Sequence, residues 1–143
     1  MVTLLTALAV LGGCSAARWY LDRTSRRETE YSGGRVRLRT LWNAGASFGL
    51  PVPKNMLVPA SCLALAALWK GRKRSPLGAG LVLGGGLSNL LERLRRGRVY
   101  DYIQFPKAPW GLHRYVFNLA DLAIFVGAAG LVMGKCQKVR RRR

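Results

Sequence analysis

The amino-acid sequence predicts an all-α membrane protein, a bundle of four transmembrane helices, from three observations. Half of the 143 residues are hydrophobic, although the chain carries a net charge of +18. The charges occur in blocks. Between the blocks lie four stretches that are almost free of charge, residues 1–17, 56–69, 75–91 and 115–134. These stretches are apolar on all sides, whereas a helix at the surface of a soluble protein carries polar residues on one face.

A helix that crosses a bilayer needs about 20 mostly apolar residues. We expect the spans at approximately residues 2–21, 50–69, 75–92 and 115–134. The first span ends at Trp19 and Tyr20, an aromatic pair suited to the level of the lipid headgroups. The second reaches the required length if Lys54 extends its amine to the interface. The whole of 1–143 is then a single membrane domain in which 135–143 is a basic cytoplasmic tail.

The orientation follows from the basic residues. Four spans place both termini, and the loop between the second and third spans, on one side of the membrane. Ten of the 24 Lys and Arg residues fall on that side and fourteen on the other. The positive-inside rule gives most weight to short loops near span ends, such as 70–74, and the arginine run at 140–143 favours an anionic inner leaflet. We therefore expect cytoplasmic termini.

The basic composition also has other interpretations. A domain that binds nucleic acid is the main one, but four charge-poor stretches argue against it. A soluble bundle of buried helices stays open, because short apolar runs are ambiguous. A disordered polycation would contain fewer hydrophobic residues, and three cysteines do not make a disulfide-rich secreted domain.

The first apolar stretch contains LGGC at 11–14, which resembles the lipobox of a lipoprotein precursor with Cys14 as the lipidated residue. A signal peptide begins with a positively charged region, and the first basic residue here is Arg18, after the apolar run. We interpret Cys14 as a small packing residue. No Cys-x-x-Cys pair occurs and the single histidine, His113, has no partner suited to a metal site, so we expect no metal and no cofactor.

Two acidic residues are functional candidates, because ionisable groups at membrane depth are costly. Asp121 lies about two turns into the fourth apolar stretch, with Asn118 three residues before it on the same helical face. Asp101 follows the third span in an alternating, extended-looking stretch, at the face where the fourth span begins. Two carboxylates that meet there can share a proton, so that one acts as base on a water and the other as acid. The structural alternative is a helix cap for Asp121, or an ion pair of either acid with a nearby arginine.

The end of the third span is polar. Asn89, Glu92 and Arg93 are spaced three and four residues apart, which predicts one shared helical face, and the simpler interpretation is a helix end that becomes polar at the interface. The glycines at 84–86 lack the Gly-Lys-Ser/Thr ending and the preceding strand of a phosphate loop. Small residues that let helices pack closely in lipid are the better explanation.

Several motifs occur in one consistent order. They are WNAGASFG at 42–49, LGGGLSNLLERL at 83–94, GRVYDYI at 97–103 and FNLAD at 117–121. Together with Asp22 and Arg26 after the first span, this order resembles the lipoprotein signal peptidase family, also called signal peptidase II. The resemblance covers roughly residues 15–133, and several motifs in order are more specific than any one of them.

The resemblance implies a four-helix aspartic endopeptidase of the bacterial plasma membrane, which cleaves prolipoproteins just before a diacylglyceryl-modified cysteine. It implies that Asp101 and Asp121 are the catalytic dyad. The polar residues that would support the dyad and the substrate are Asn43, Asn89, Arg93, Asn118 and Asp22. Residues 31–48 would form a small extracytoplasmic β-like platform. The expected partners are prolipoproteins and membrane lipid, without nucleic acid, and the expected state is a monomer.

The sequence departs from the family pattern at four positions. Glu92 stands where Asp is usual, Ser88 replaces a usual Gly, Arg26 replaces a usual Lys, and Trp42 stands where a polar or basic residue is common. None of these replaces an acid of the dyad. Two alternatives therefore stay open beside the peptidase. One is a low-activity paralogue of the same fold, and the other is a non-catalytic membrane adaptor that would tolerate loss of both acids.

Overall fold

The computed structural model describes residues 1–24, 28–45 and 52–140, without the side chains of Lys54 and of residues 135–140. Within these residues, long helices form a bundle and a small antiparallel sheet closes one end of it. The helices are α1 (Val2–Arg23), α2 (Lys54–Gly71), α3 (Pro76–Arg96) and α4 (Leu119–Arg140). The strands are β1 (Glu30–Tyr31), β2 (Val36–Asn43), β3 (Val99–Gln104) and β4 (Val116–Phe117). Short 3-10 turns are formed by Arg72–Arg74 and Leu112–Arg114.

Helix α3 is the central helix and packs against α1, α2 and α4. Its limits follow from local chemistry. Pro76 occupies the first turn, where a missing N–H costs nothing. Gly97 ends the helix with a φ of 69°, the left-handed conformation that glycine adopts without strain. The long polar end of α3, including Arg93 and Arg96, therefore stays helical up to the sheet.

Two glycines of α3 allow the neighbouring helices to approach closely. A Cβ atom at Gly84 would lie 2.6 Å from the carbonyl oxygen of Ala7 in α1. A Cβ atom at Gly85 would lie 2.5 Å from the carbonyl oxygen of Ala120 in α4. Both distances are too short for a real side chain. The glycine cluster at 84–86 is thus a close-packing device, as the sequence indicated.

The sheet has the strand order β1-β2-β3-β4 with antiparallel pairs throughout. Its inner face packs on the end of α1, where Leu21, Tyr100 and Tyr102 form a buried cluster. The expected β-like platform at 31–48 was therefore too small, because β3 and β4 from the second half of the chain also join it. The part of that prediction at 46–48 lies outside the described residues.

The start of α4 differs from the sequence prediction. A span from 115 was expected, but β4 pairs with β3 up to Phe117, so that the helix begins only at Leu119. Asp121 consequently lies in the first turn of α4 rather than two turns into a helix. At the other end α4 continues to Arg140, so residues 135–140 of the expected tail are helical, and 141–143 lie outside the described residues. The expected start of the second span at 50–51 also lies outside them.

One helix of the bundle meets the length and hydropathy needed to cross a membrane. In the part of the chain that the structure describes, α1 is long and apolar enough to cross a membrane, and the apolar part of α4, Leu119–Gly134, is shorter. Helix α2 contains Pro59 within its length. Four spans are therefore not confirmed by length and composition. Large apolar side chains are nonetheless exposed on α1, α2 and α4, among them Leu8, Leu63 and Val126, as is typical of a surface that faces lipid or a partner.

Candidate active site

Asp101 and Asp121 line one cavity of about 160 Å³ beside the sheet. Asp101 comes from β3 and Asp121 from the first turn of α4, and both side chains are buried. The cavity is lined by Asn43, Asp101, Val116, Phe117, Asp121, Ile124 and Phe125. The two acids that the sequence analysis selected thus face one space, and most of the remaining wall is apolar.

Asp101 is held by two side-chain amides, one from each side. Asn43 Nδ2 donates to Asp101 Oδ2 at 3.0 Å, and Asn118 Nδ2 donates to Asp101 Oδ1 at 2.7 Å. Asn43 is itself oriented, because its Oδ1 accepts the backbone N–H of Gly45 at 2.9 Å. Pairing of β2 with β3 brings the end of β2 next to the start of β3, which is why Asn43 reaches Asp101.

Asp121 and Asn118 form a reciprocal cap at the start of α4. Asn118 Oδ1 accepts the backbone N–H of Asp121 at 2.9 Å, and Asp121 Oδ2 accepts the backbone N–H of Asn118 at 3.1 Å. This is the capping-box arrangement, with Asp in the place of the usual Glu or Gln. The sequence analysis treated a cap as the alternative to a functional Asp121. The structure shows a cap and a cavity-lining carboxylate in the same residue.

A third amide joins the two acids through α3. Asn89 Nδ2 donates to Asp121 Oδ1 at 2.9 Å, and Asn118 Nδ2 also lies 3.2 Å from Asn89 Oδ1. Asn118 therefore bridges Asp101 and Asn89 with one amino group. Residues from β2, α3, β3 and α4 meet in a single buried network of two carboxyl groups and three amides, so the network fixes how the sheet docks on the helices.

The surroundings of Asp101 favour its protonated form over its charged form. Burial raises the pKa of Asp101 from its usual 3.8 to about 6, and the negative charge of Asp121 adds to the shift. Hydrogen bonds from Asn43 and Asn118, and the charge of Arg93, oppose it. The amides donate hydrogen bonds but carry no charge. The pKa of Asp101 therefore stays well above its usual value, as in other pairs of neighbouring carboxyl groups.

Arg93 reaches the site from α3 without forming a direct ion pair with either acid among the described residues. Its Nη2 donates to the carbonyl oxygen of Gly45 at 3.0 Å, and Gly45 in turn donates to Asn43. Arg93 therefore anchors the chain just after β2, next to the amide that orients Asp101. The rest of the predicted WNAGASFG block, at 46–49, lies outside the described residues.

Glu92 and Asp22 lie on the opposite side of α3. Arg18 of α1 donates to Glu92 Oε2 at 3.0 Å through Nη1 and to Ser88 Oγ at 2.9 Å through Nη2. Asp22 Oδ2 lies 3.9 Å from Arg96 Nη2. The expectation that Asn89, Glu92 and Arg93 share one face was wrong for Glu92, because the helix turns this residue toward α1.

The structure thus brings together Asn43, Asn89, Asn118, Asp101 and Asp121, with Arg93 one contact away. It does not bring Asp22 to the acids. Asp22 lines a separate cavity of about 260 Å³ between α1 and α3, together with Arg18 and Glu92. Arg26, its expected companion, lies outside the described residues. Among the described residues, no three His, Cys, Asp or Glu side chains are grouped to hold a metal ion.

The sequence analysis missed the supporting role of Tyr102. The backbone N–H of Leu119, at the start of α4, donates to Tyr102 Oη at 3.2 Å. Burial raises the pKa of Tyr102 to about 12, so the hydroxyl stays protonated. Tyr102 follows Asp101 by one residue and therefore points to the other face of the strand. The alternation along the strand can be predicted from the sequence, but the contact between Tyr102 and Leu119 cannot.

Solved structures define the class of fold. Two structures described as bacterial membrane enzymes share this fold, each at 18% sequence identity. The match to the first structure covers 99% of this chain and 91% of that structure's chain, with a TM-score of 0.85. The match to the second covers 92% of this chain and 90% of that structure's chain, with a TM-score of 0.76. The arrangement of four helices and a small sheet is thus one that membrane enzymes adopt.

Sequence relatives define the family. A family profile described as signal peptidase (SPase) II matches residues 6–136. A lipoprotein signal peptidase of Methylorubrum extorquens is 36% identical over 111 residues, which are 71% of this chain and 64% of the relative. A lipoprotein signal peptidase of Pelotomaculum thermopropionicum is 42% identical over 99 residues, which are 64% of this chain and 61% of the relative. The chain belongs to the signal peptidase II family. The matched regions span less than two thirds of these relatives' length. Family membership also indicates that this is a membrane protein.

Proposed function

We propose that the protein is an aspartic endopeptidase of the bacterial plasma membrane that removes signal peptides from diacylglyceryl-modified prolipoproteins. The cleaved bond lies just before the lipidated cysteine, and the nucleophile is a water molecule activated by Asp101 and Asp121. The observation that carries the proposal is the buried network of these two carboxyl groups and three neutral amides in one cavity. The family relatives, named lipoprotein signal peptidases, support the choice of substrate.

The chemistry requires one proton shared by two acids. One carboxylate takes a proton from water while the water oxygen attacks the scissile carbonyl carbon, and the other, protonated, donates to the carbonyl oxygen. When the tetrahedral intermediate collapses, the amine nitrogen takes a proton and the C–N bond breaks. The products are a carboxylic acid on the signal peptide and a free amine on the lipidated cysteine. A coupled pair titrates as a unit, so the roles of base and acid belong to Asp101 and Asp121 together.

An apolar groove gives the substrate a place beside the acids. It has a volume of about 240 Å³ and lies between α2, α3 and α4. Ile124 lines both the groove and the cavity of the acids, and Asn89 and Arg93 line its polar end. A signal peptide is an apolar helix, so its burial along this groove supplies binding energy and brings its C-terminal end to the acids.

The proposal includes a topology in the membrane. We propose four spans, with the sheet and the acids near the outer surface and both termini in the cytoplasm. The ends of α1 and α3 and the start of α4 meet at the sheet, while Arg72–Arg74 lie at the opposite end of the bundle. A short basic loop is typical of the cytoplasmic side. The acids and amides of the network come from one chain, which is consistent with a monomer.

The departures from the family pattern leave the acids untouched. Ser88 and Glu92 face Arg18 of α1 rather than the cavity. Trp42 packs on Tyr100, with ring centroids 5.0 Å apart, and Arg98 lies over its ring at 4.7 Å. These residues therefore adapt the packing around α3 and the sheet. The contacts of the two acids support an active enzyme rather than a low-activity paralogue.

The test is cleavage of a diacylglyceryl prolipoprotein by the purified protein, compared with its Asp101→Asn variant. Mass spectrometry of the products should show a new N-terminus at the lipidated cysteine for the wild type. The variant should remain inserted and folded but release no signal peptide. If the variant cleaved at the normal rate, the dyad would be wrong. A non-catalytic adaptor would give no product with either protein.

A further inference from the structure

A second apolar space, distinct from the groove, adjoins the cavity of the acids. It has a volume of about 290 Å³ and lies under the loop that joins β3 to β4. Its walls are entirely apolar, formed by Phe105, Ala108, Leu112, Phe117, Leu122 and Phe125. Two of these walls, Phe117 and Phe125, also line the cavity of Asp101 and Asp121. The rings of that pair meet edge to face, with centroids 6.4 Å apart.

The cavity of the acids therefore adjoins two apolar spaces of different shape. The groove follows α2 from Leu57 to Leu68, roughly 16 Å at the rise of an α-helix. That length suits another helix laid alongside. The second space, here called the loop cavity, is bounded by one loop and one turn of α4 and suits a single flexible chain rather than a helix.

The proposed substrate also has two apolar parts, one on each side of the bond to be cleaved. The signal peptide precedes the bond, and the residue that follows it carries a diacylglyceryl group on its sulfur. The cysteine side chain and the glyceryl unit form a flexible link between the scissile bond and the acyl esters. We propose that the loop cavity binds the first part of one of these acyl chains, so that it selects the lipidated substrate. This inference rests on the proposed function.

The surroundings of the loop cavity suit a lipid chain. Trp110, between Ala108 and Leu112, is 93% exposed, and Gly111 turns the loop there with a φ of 77°. An exposed tryptophan on a membrane protein is suited to the level of the headgroups. The mouth of the loop cavity then lies where acyl chains begin, and the outer part of the chain can remain in the bilayer.

The first test varies the length of the acyl chain in a synthetic diacylglyceryl prolipoprotein peptide. Acyl chains too short to fill the loop cavity should raise KM while kcat is preserved, because the dispersion contacts with its walls are lost. Leu112→Trp fills the loop cavity and should raise KM for long chains and flatten the dependence on length. Leu63→Trp, the same change at an exposed position of α2, should behave as the wild type. A KM that is independent of chain length in the wild type, or equal slopes for Leu112→Trp and the wild type, would overturn the proposal.

The second test needs no turnover. The Asp101→Asn variant is incubated with the same peptide carrying a photoreactive diazirine near the start of one acyl chain, and the labelled residues are mapped by mass spectrometry. Labelling concentrated at 105–112 and on Leu122 or Phe125 supports the proposal. Labelling concentrated on α2, or spread over the exposed face of α1, overturns it. If the wild type cleaves no prolipoprotein, the proposed function fails, whereas cleavage with labelling elsewhere overturns only the loop cavity.

Discussion

Two buried polar clusters lie at the same level of α3 but on opposite faces. Toward α4, Asn89 contacts Asp121. Toward α1, Ser88 and Glu92 contact Arg18. Both clusters join α3 to a neighbouring helix through buried hydrogen bonds. They differ in charge, because the α1 face pairs an acid with a base, while the α4 face gathers two acids around neutral amides.

Under the proposed function, the α4 face carries out the reaction and the α1 face holds the helices together. On the α1 face Glu92 has a direct counter-ion, because Arg18 Nη1 lies 3.0 Å from its Oε2. On the α4 face, among the described residues, no base forms an ion pair with Asp101 or Asp121. Protonation of one acid therefore reduces the repulsion between the two carboxylates. In the proposed reaction the two acids transfer a proton, whereas Arg18 and Glu92 join α1 to α3.

The sharpest way to break the comparison is to neutralise one buried acid on each face. Asp121→Asn should lower kcat by about a thousandfold or more, because the dyad then lacks one of its two proton-transfer groups. Glu92→Gln should keep kcat within about tenfold of the wild type, because Glu92 does not face the cavity. The measurement is kcat for prolipoprotein cleavage by each of the two purified variants. Equal losses of kcat would remove the distinction between the faces.

A second change tests whether Arg18 is needed for the fold rather than for the reaction. Arg18→Met leaves Glu92 as a buried charge without its counter-ion, which should lower the free energy of unfolding by about 3 kcal/mol. The double variant with Glu92→Met should recover most of this loss, because both charges are then gone. Thermal unfolding of the single and double variants measures the loss of stability and its recovery. Absence of recovery in the double variant would show that the pair is not coupled.

The close contact between α3 and α4 offers a test of how far the acids depend on the position of α4. Gly85→Ala forces a methyl group against the Ala120 carbonyl, next to Asp121. We expect a loss of about 1–3 kcal/mol in stability from overpacking, together with a lower kcat. Gly12→Ala is the matched control, because a Cβ atom there meets nothing within 4 Å. Unchanged kcat in a measurably destabilised Gly85→Ala protein would show that the acids tolerate a shift of α4.

The smallest predicted effect is a shift of the pH profile. The hydrogen bond from Asn43 lowers the pKa of Asp101, so Asn43→Ala should raise that pKa. Because the dyad works with one proton, kcat/KM falls as the pH rises through its upper pKa. The alkaline limb should therefore move upward by about one pH unit, as expected for the loss of a charge-assisted hydrogen bond. The exposed Asn55→Ala is the control. A downward shift of the alkaline limb in Asn43→Ala would contradict the prediction that Asn43 lowers the pKa of Asp101.

The sequence allowed the residues of the site to be predicted better than their geometry. The family resemblance of the motifs selected both acids and all three amides, and the structure brings these five residues into one network. The capping role of Asp121 was weighed only as an alternative to a functional role, because the start of α4 depends on pairing between β3 and β4, a contact that no local pattern reveals. The face of Glu92 was also mispredicted, because a spacing of three residues leaves a helical side chain free to turn either way until its partner, Arg18, is known.

The account rests on a raised pKa of Asp101, and infrared spectroscopy can measure this pKa directly. The difference spectrum between wild type and Asp101→Asn isolates the carboxyl band of this residue, which is followed as the pH is raised. The account predicts that the protonated band of Asp101 persists above the usual pKa of 3.8 and is lost near pH 6. A band that disappears around 3.8, as for an ordinary exposed Asp, would contradict it.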